Sequence, residues 1–383
     1  MKVAFDGQFF LKGNKTGVAW CAENVMLEVG KRQDIEKQIN YFGLGYNVQQ
    51  RAQADKFNVS GYAVKCCGWF HDVIYRMIWN YIPIPYKFFF GKKADVSIFF
   101  NFIVPPGVSG GTIAVVHDMA YKSYPETVRT KTKCFLESSM EKSCRRATRI
   151  ITISEFSKSE IIRYMSIAED KISVVPLGVD IQRFHTGYPK EVIEETKRKY
   201  CIFGKYILYL GTIEPRKNIQ KLVQAYAVLK KEREFVPPLI LAGGKGWLCD
   251  EIYASVKELD LEDSVKFLGY VSDEDAPRLL CGADLFVFPS LYEGFGLPVL
   301  EAMACGVPVV TSNISSLPEI AHEAAILVNP NDTSAIMQGM DKLIQDENLR
   351  QKYIEAGLKR AQEYTWKKTA DRYIEICEEI ARS

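Results

Sequence analysis

Residues 285–310 read LFVFPSLYEGFGLPVLEAMACGVPVV. Leu285–Phe288 is a short apolar run with no polar face, the pattern of a strand buried on both sides. A glycine-rich turn containing Glu293 follows, then Leu297–Ala304 with helical spacing, then a second apolar run at Val307–Val310. Strand, turn, helix and strand in that order form a parallel βαβ unit. Outward from it, similar runs recur at Tyr206–Leu210, Leu239–Ala242, Val265–Leu268 and Ala325–Val328. Earlier in the chain come Val3–Phe5, Val96–Phe100, Thr112–Val116, Arg149–Ile153 and Ile172–Val175. Helical patterns such as Asn218–Lys231 and Ser272–Cys281 fill the gaps, and Glu355–Ser383 reads as helix beyond the last strand. The polar stretch Gly187–Lys199 separates the two sets of strands. The predicted fold class is α/β, with two doubly wound parallel-sheet domains joined near residues 180–200. Ligands of such sheets sit outside the carboxyl ends of the strands, which places a site in the cleft between the domains.

The chain has 383 residues, 49 Lys+Arg, 47 Asp+Glu and a formal net charge of +2. That balance argues against a general nucleic-acid binder. The sum hides an asymmetry: through Arg183 there are 25 basic and 17 acidic residues, and afterwards 24 basic and 30 acidic. The first half therefore carries +8 and the second −6. Asp6 interrupts the apolar stretch at the N-terminus, so no signal peptide is expected, and no run is long enough to span a membrane. The ten cysteines lack CxxC or Cys/His spacing and read as reduced core fillers.

Four constellations carry chemistry. Glu293 lies in the turn after Leu285–Phe288, with Glu301 inside the helix that the turn opens. Gly294, Phe295, Gly296 and Leu297 form the turn and helix start, a place to hold a phosphorylated ligand. Two carboxylates there repel bare phosphate but suit hydroxyl donors, the combination that a nucleotide sugar presents. In GTIEPRKN (211–218), Arg216 and Lys217 stand at the opening of a helix and suit a diphosphate. KGNKTGV (12–18), with glycines at 13 and 17, lets backbone amides approach an anion but matches neither dinucleotide nor P-loop fingerprints. In VVHD (115–118), His117 ends a strand where it can donate to substrate oxygens, with Asp118 to orient it.

Other features divide between function and ordinary packing. AGGKGW (242–247) brings backbone at Gly243 toward a nucleobase or simply makes a tight turn. Asp273-Glu274-Asp275 has the spacing of a metal motif, but it follows Ser272 as an acidic first turn follows an N-cap, so no metal is expected. Cys66–Phe90 concentrates aromatic residues ahead of Lys92 and Lys93. It is either an interfacial element meeting lipid or a buried helix followed by a loop broken at Pro83 and Pro85. Arg129–Arg149 holds seven Lys/Arg and two Glu, which fits an anionic surface or a solvated face.

Together these residues resemble the retaining nucleotide-sugar glycosyltransferases of family GT4, which have the GT-B fold. The resemblance rests on Glu293 and Glu301 with seven residues between them in EGFGLPVLEAMACGVPVV, and on LGTIEPRKN, LAGGKGW, VHD, ITISEFSK and VVPLGVD. It implies an acceptor-binding domain at 1–185, a nucleotide-sugar domain at 186–365, and a helix at 366–383 crossing back to the first domain. It implies that Glu293 contacts the donor sugar, Glu301 the ribose, and Arg216 and Lys217 the diphosphate. His117 would meet the sugar, the Gly17 loop the phosphates, and backbone near Val271 the base. Many members carry Arg directly after the strand glycine; Thr212 stands there, so the clamp rests on Arg216 and Lys217. The implied reaction is metal-independent, anomer-retaining hexose transfer to a glycan or lipid-linked glycan in cell-surface polysaccharide assembly.

The C-terminal half looks most like bacterial mannosyltransferases, so the expected donor is GDP-mannose. UDP- or dTDP-sugar donors, a nucleotide-sugar epimerase of the same fold and a catalytically silent scaffold are the alternatives. No other cofactor is expected. The expected location is cytoplasmic, with the N-terminal domain touching the anionic inner face of the plasma membrane.

Overall fold

The structure, a computed structural model, describes residues 1–11, 17–78, 82–91 and 94–382. It divides into two compact units. The first comprises Met1–Met119, Arg129–Gly178 and Trp366–Ser383, and the second Ala120–Val128 and Val179–Thr365.

The first unit is built on seven parallel strands: β1 (Lys2–Asp6), β2 (Glu36–Phe42), β3 (Tyr62–Cys67), β4 (Val96–Phe99), β5 (Gly111–Val116), β6 (Arg149–Thr152) and β7 (Ile172–Val174). Their order is β3-β2-β1-β4-β5-β6-β7. The chain reverses its direction of growth between β1 and β4, the crevice where doubly wound sheets place ligands.

The apolar-run reading misses β2, where Lys37, Gln38 and Asn40 are buried, and β3, a partly exposed strand buried only at Tyr62 and Cys67. In EKQINYF, Lys37 is buried and its Nζ donates to the Gly30 carbonyl at 3.0 Å. Gln38 Nε2 donates to Asn40 Oδ1 at 2.7 Å. The Lys37 ammonium, the Gln38 amide nitrogen and the Asn40 amide oxygen find partners, which lets the strand carry them in the core, while Gln38 Oε1 is buried without one among the described residues.

The second unit has six parallel strands: β8 (Ile207–Leu210), β9 (Leu239–Ala242), β10 (Val265–Gly269), β11 (Leu285–Phe288), β12 (Val309–Ser312) and β13 (Ile326–Val328). Their order is β10-β9-β8-β11-β12-β13, with the reversal between β8 and β11. Tyr209 and Phe288 stack across that reversal with ring centroids 5.9 Å apart.

Three boundaries differ from expectation. The stretch read as a polar connector is a helix, Lys190–Lys199, whose Thr196 and Lys197 are buried within the second unit. The units part at Gly178/Val179 rather than at 185. Residues 120–128 cluster with the second unit, where Trp247 Nε1 donates to the Thr127 carbonyl at 2.6 Å.

The C-terminal helical stretch is two helices, Glu347–Glu363 and Trp366–Arg382, broken where Tyr364 turns extended (φ −106°, ψ 96°). Trp366–Arg382 packs on Gly17–Gly30 inside the first unit. Its Tyr373 is fully buried and lies 5.8 Å from the Phe100 ring. Among the described residues, no helix is long and apolar enough to cross a membrane.

Candidate active site

The carboxyl ends of β8 and β11 carry the two densest motifs of the sequence. After β8, Pro215–Lys217 forms a single 3-10 turn and Asn218 adopts a left-handed conformation (φ 59°) before the helix Ile219–Glu232 begins. Arg216 and Lys217 thus precede the helix instead of opening it. Asn218 holds the turn in place: its Nδ2 donates to the carbonyls of Pro289 (3.1 Å) and Pro330 (2.7 Å). The Arg216 carbonyl accepts from the Leu291 amide at 2.9 Å, which ties this turn to the segment after β11.

The turn delivers both cations to Glu293. Lys217 Nζ donates to Glu293 Oε1 at 2.5 Å, and Arg216 Nη1 reaches Oε2 at 3.3 Å. Arg216 also donates to Glu214 Oε1 at 2.7 Å and to the Tyr292 carbonyl at 2.6 Å. Ser290 Oγ donates to Glu293 Oε1 at 2.7 Å. Burial pushes the Glu293 carboxyl up, but Lys217 and Arg216, with the Lys217 and Ser290 hydrogen bonds, outweigh it and hold the group below the usual range. Burial pulls the Lys217 ammonium down, with Glu293 opposing.

The two cations that the sequence assigns to a diphosphate are compensated by two carboxylates, Glu293 and Glu214. Glu214 and Ser290 lie inside the quoted motifs; each serves a charged neighbour in its own motif, and Ser290 Oγ also reaches the Arg216 carbonyl of the other at 3.1 Å, a contact that nothing local marks.

The Gly294–Leu297 turn is pinned from below. Ser316 Oγ donates to the carbonyls of Glu293 (2.9 Å) and Phe295 (2.6 Å), and Ser315 Oγ accepts from the Glu293 amide at 3.2 Å. Gly296 has φ 117°, and a Cβ there would meet Leu317 Cδ2 at 2.7 Å, so the turn requires glycine. The helix Leu297–Ala304 then carries Glu301 away from the Glu293 cluster.

The Glu301 carboxylate makes no hydrogen bond or ion pair with the described residues. Burial raises its carboxyl to about 7; Arg183 opposes the rise while Asp273 and Asp180 add to it. A carboxyl in that setting suits a ligand hydroxyl, which satisfies it in either protonation state.

The ends of β8, β9 and β10 meet through glycines. The Gly243 amide donates to the Gly269 carbonyl at 2.8 Å, and a Cβ on Gly243 would collide with the Gly211 carbonyl. Val271 follows, buried. The Asp273-Glu274-Asp275 carboxylates are engaged elsewhere. Asp275 accepts from Lys199 (2.5 Å), Tyr200 (2.9 Å) and Ser272 (2.8 Å), while Asp273 pairs with Arg183 at 3.4 Å.

In the first unit, His117 stands one residue past β5. Its Nε2 lies 3.2 Å from the Phe100 carbonyl, an atom that only accepts, so Nε2 carries the proton. Burial lowers its pKa, with Asp118 and the Phe100 hydrogen bond opposing. In the neutral ring Nδ1 is then an acceptor, the reverse of the donor role expected from the sequence. Gly17 opens the helix Gly17–Gly30 with open space around its Cα. Residues 12–16 of that motif lie outside the described residues.

Comparison with known proteins agrees with this layout. Residues 192–360 match the family model described as glycosyl transferases group 1, and residues 102–183 match that of glycosyltransferase family 4. The O-antigen chain mannosyltransferase B of Escherichia coli is 39% identical over 266 residues, 70% of this chain and 69% of that protein. The serotype-specific mannosyltransferase WbdA of Escherichia coli is 36% identical over 232 residues, 60% of this chain but 28% of that longer protein. Among solved structures, Anabaena HepE in complex with UDP and glucose superposes with a TM-score of 0.73 at 18% identity, covering 99% of this chain and 100% of that one. On the family match, the mannosyltransferase relative and the two doubly wound sheets, this chain belongs to the group 1 glycosyltransferases and has the GT-B fold.

Proposed function

We propose that this glycosyltransferase moves mannose from GDP-mannose, with retention of anomeric configuration and without a metal, onto a glycan or lipid-linked glycan of a cell-surface polysaccharide. The observation that carries the reading is the buried Lys217–Glu293–Arg216 cluster at the β8/β11 reversal. The mannosyltransferase names of the relatives support the sugar.

In this reading a diphosphate approaching the cluster competes with Glu293 and Glu214 for the hydrogens of Lys217 and Arg216. Glu293, held ionised, turns its free lone pairs to sugar hydroxyls. As the glycosidic bond to the diphosphate lengthens, negative charge grows on the leaving oxygen. The preplaced Lys217 and Arg216 stabilise it without reorganising. The sugar acquires oxocarbenium character, and the acceptor hydroxyl enters on the face the diphosphate leaves, passing its proton to that leaving group. Glu301 takes a ribose hydroxyl. His117 takes a sugar hydroxyl through its unprotonated Nδ1.

Incubation with GDP-mannose, UDP-glucose and dTDP-rhamnose tests the donor by thermal shift and by nucleotide release. GDP-mannose alone should raise the melting temperature and be turned over. Stabilisation by UDP-glucose or dTDP-rhamnose instead would overturn the assignment. The anomeric configuration of the product, read by NMR, tests retention.

A further inference from the structure

Sixteen large apolar side chains are exposed among the described residues, and six of them fall within 69–88: Trp69, Val73, Ile74, Met77, Ile82 and Phe88. The segment is neither wholly buried nor wholly exposed. Tyr75, Tyr86 and Phe90 pack under it against Phe42, with ring centroids 5.1, 6.5 and 5.0 Å away, and anchor it to the sheet. Above that aromatic base the helix Asp72–Ile78 turns Val73, Ile74 and Met77 outward. Trp69 and Phe88, 61% and 69% exposed, sit edge to face at 6.1 Å. Such rings gain nothing from water, and a monomer rarely leaves so many together.

Beside them runs a groove of about 610 Å³ lined by Val73, Arg76, Met77, Phe135 and Lys142. Its second wall is the helix Thr130–Arg146. Lys131 and Lys142 on that helix are exposed, as is Lys87 beside Phe88. None of these three lysines forms an ion pair among the described residues. Apolar side chains able to enter an acyl layer, flanked by unpaired ammonium groups, complement an anionic bilayer surface. The surface lies wholly within the first unit. A soluble acidic protein would match the lysines but not the protruding rings.

We propose that the face formed by Trp69, Val73, Met77 and Phe88, rimmed by Lys87, Lys131 and Lys142, docks this enzyme on anionic phospholipid. It rests on the proposed function only in supplying a reason to be there: a lipid-linked acceptor is presented at a bilayer.

Flotation of the full chain with vesicles tests it. Vesicles of phosphatidylglycerol and phosphatidylethanolamine should bind at low salt, release at high salt, and be preferred over pure phosphatidylcholine. Lys131→Gln/Lys142→Gln should weaken that binding about thirtyfold, roughly fivefold per lysine, and leave the melting temperature unchanged. Trp69→Ser/Met77→Ser should abolish it. No binding by the wild type, or equal binding by both variants, would overturn the proposal. So would loss of a dimer in sedimentation of Trp69→Ser/Met77→Ser with no change on vesicles, which would show that a second copy covers the face. Nucleotide release from GDP-mannose in free solution is read in parallel. Vesicle binding without turnover leaves the docking face standing and removes the donor assignment, and turnover without vesicle binding does the reverse.

Discussion

Lys217 Nζ lies 2.5 Å from Glu293 Oε1, and the two side chains are 12% and 11% exposed. Ion pairs so far from water are costly to form and costlier to break by removing one partner. A stabilising pair and a catalytic pair therefore predict different outcomes when both members are neutralised.

Lys217→Ala should lower turnover by at least a hundredfold, the scale for losing a preplaced donor at developing charge. It should also cost about 3 kcal/mol by leaving Glu293 short of a partner. The double variant Lys217→Met/Glu293→Gln should recover most of the melting temperature and none of the activity. Recovery of both would make the pair structural.

Glu301→Gln tests the raised carboxyl. Its folded pKa of about 7 exceeds the ordinary glutamate value of 4.5, so between those pH values the folded state holds a proton that the unfolded state has released. Stability contributed by this group is therefore full below about 4.5 and declines as pH rises to about 7. The glutamine variant should lack that decline and be more stable than wild type at pH 8 by on the order of 3 kcal/mol. Thermal unfolding across pH 4.5–8 measures it. Its affinity for GDP should fall at the same time if the ribose sits there.

Glu293 has the opposite sign. Its depressed pKa means that its contribution is full above about 4.5 and is lost only as pH falls through the lower, folded value. Glu293→Gln should therefore flatten the acid side of the stability profile and leave the slope between pH 5 and 7 untouched.

Asn218→Ala removes the donor that serves the Pro289 and Pro330 carbonyls and places alanine at φ 59°. Two orphaned buried acceptors and a strained backbone should cost about 3 kcal/mol, and kcat should fall because Arg216 and Lys217 lose their support. Asn218→Gly, which relieves only the strain, should recover about 1 kcal/mol and little activity.

Gly243→Ala should destabilise by more than 2 kcal/mol, because its Cβ enters the Gly211 carbonyl and neither backbone can withdraw without breaking the β8–β9 pairing. Gly244→Ala, with open space around it, is the control and should be silent.

Much of this molecule is legible in local pattern. The apolar runs around 285–310 and 206–210 mark buried strands, and glycine after a strand marks the turn that leads to a helix. Those signals come from burial on both faces and from backbone conformation, which depend on near neighbours in the chain. They were enough to establish two doubly wound sheets and to bring Glu293, Glu301, Arg216 and Lys217 to attention.

Tertiary structure decided the rest. Strand β2 was hidden because Lys37, Gln38 and Asn40 are buried with partners that only the folded chain supplies, and β3 because most of its positions are partly exposed. His117 keeps only Nδ1 as an acceptor because its protonated Nε2 donates to the Phe100 carbonyl. Asn218 and Ser290 gained roles across more than seventy residues of sequence, at the Pro289 and Arg216 carbonyls. Sequence determined which residues reach the carboxyl ends of β8 and β11, because strand and turn formation are local. Only folding decided which charges meet there, because ion pairing depends on distance through space.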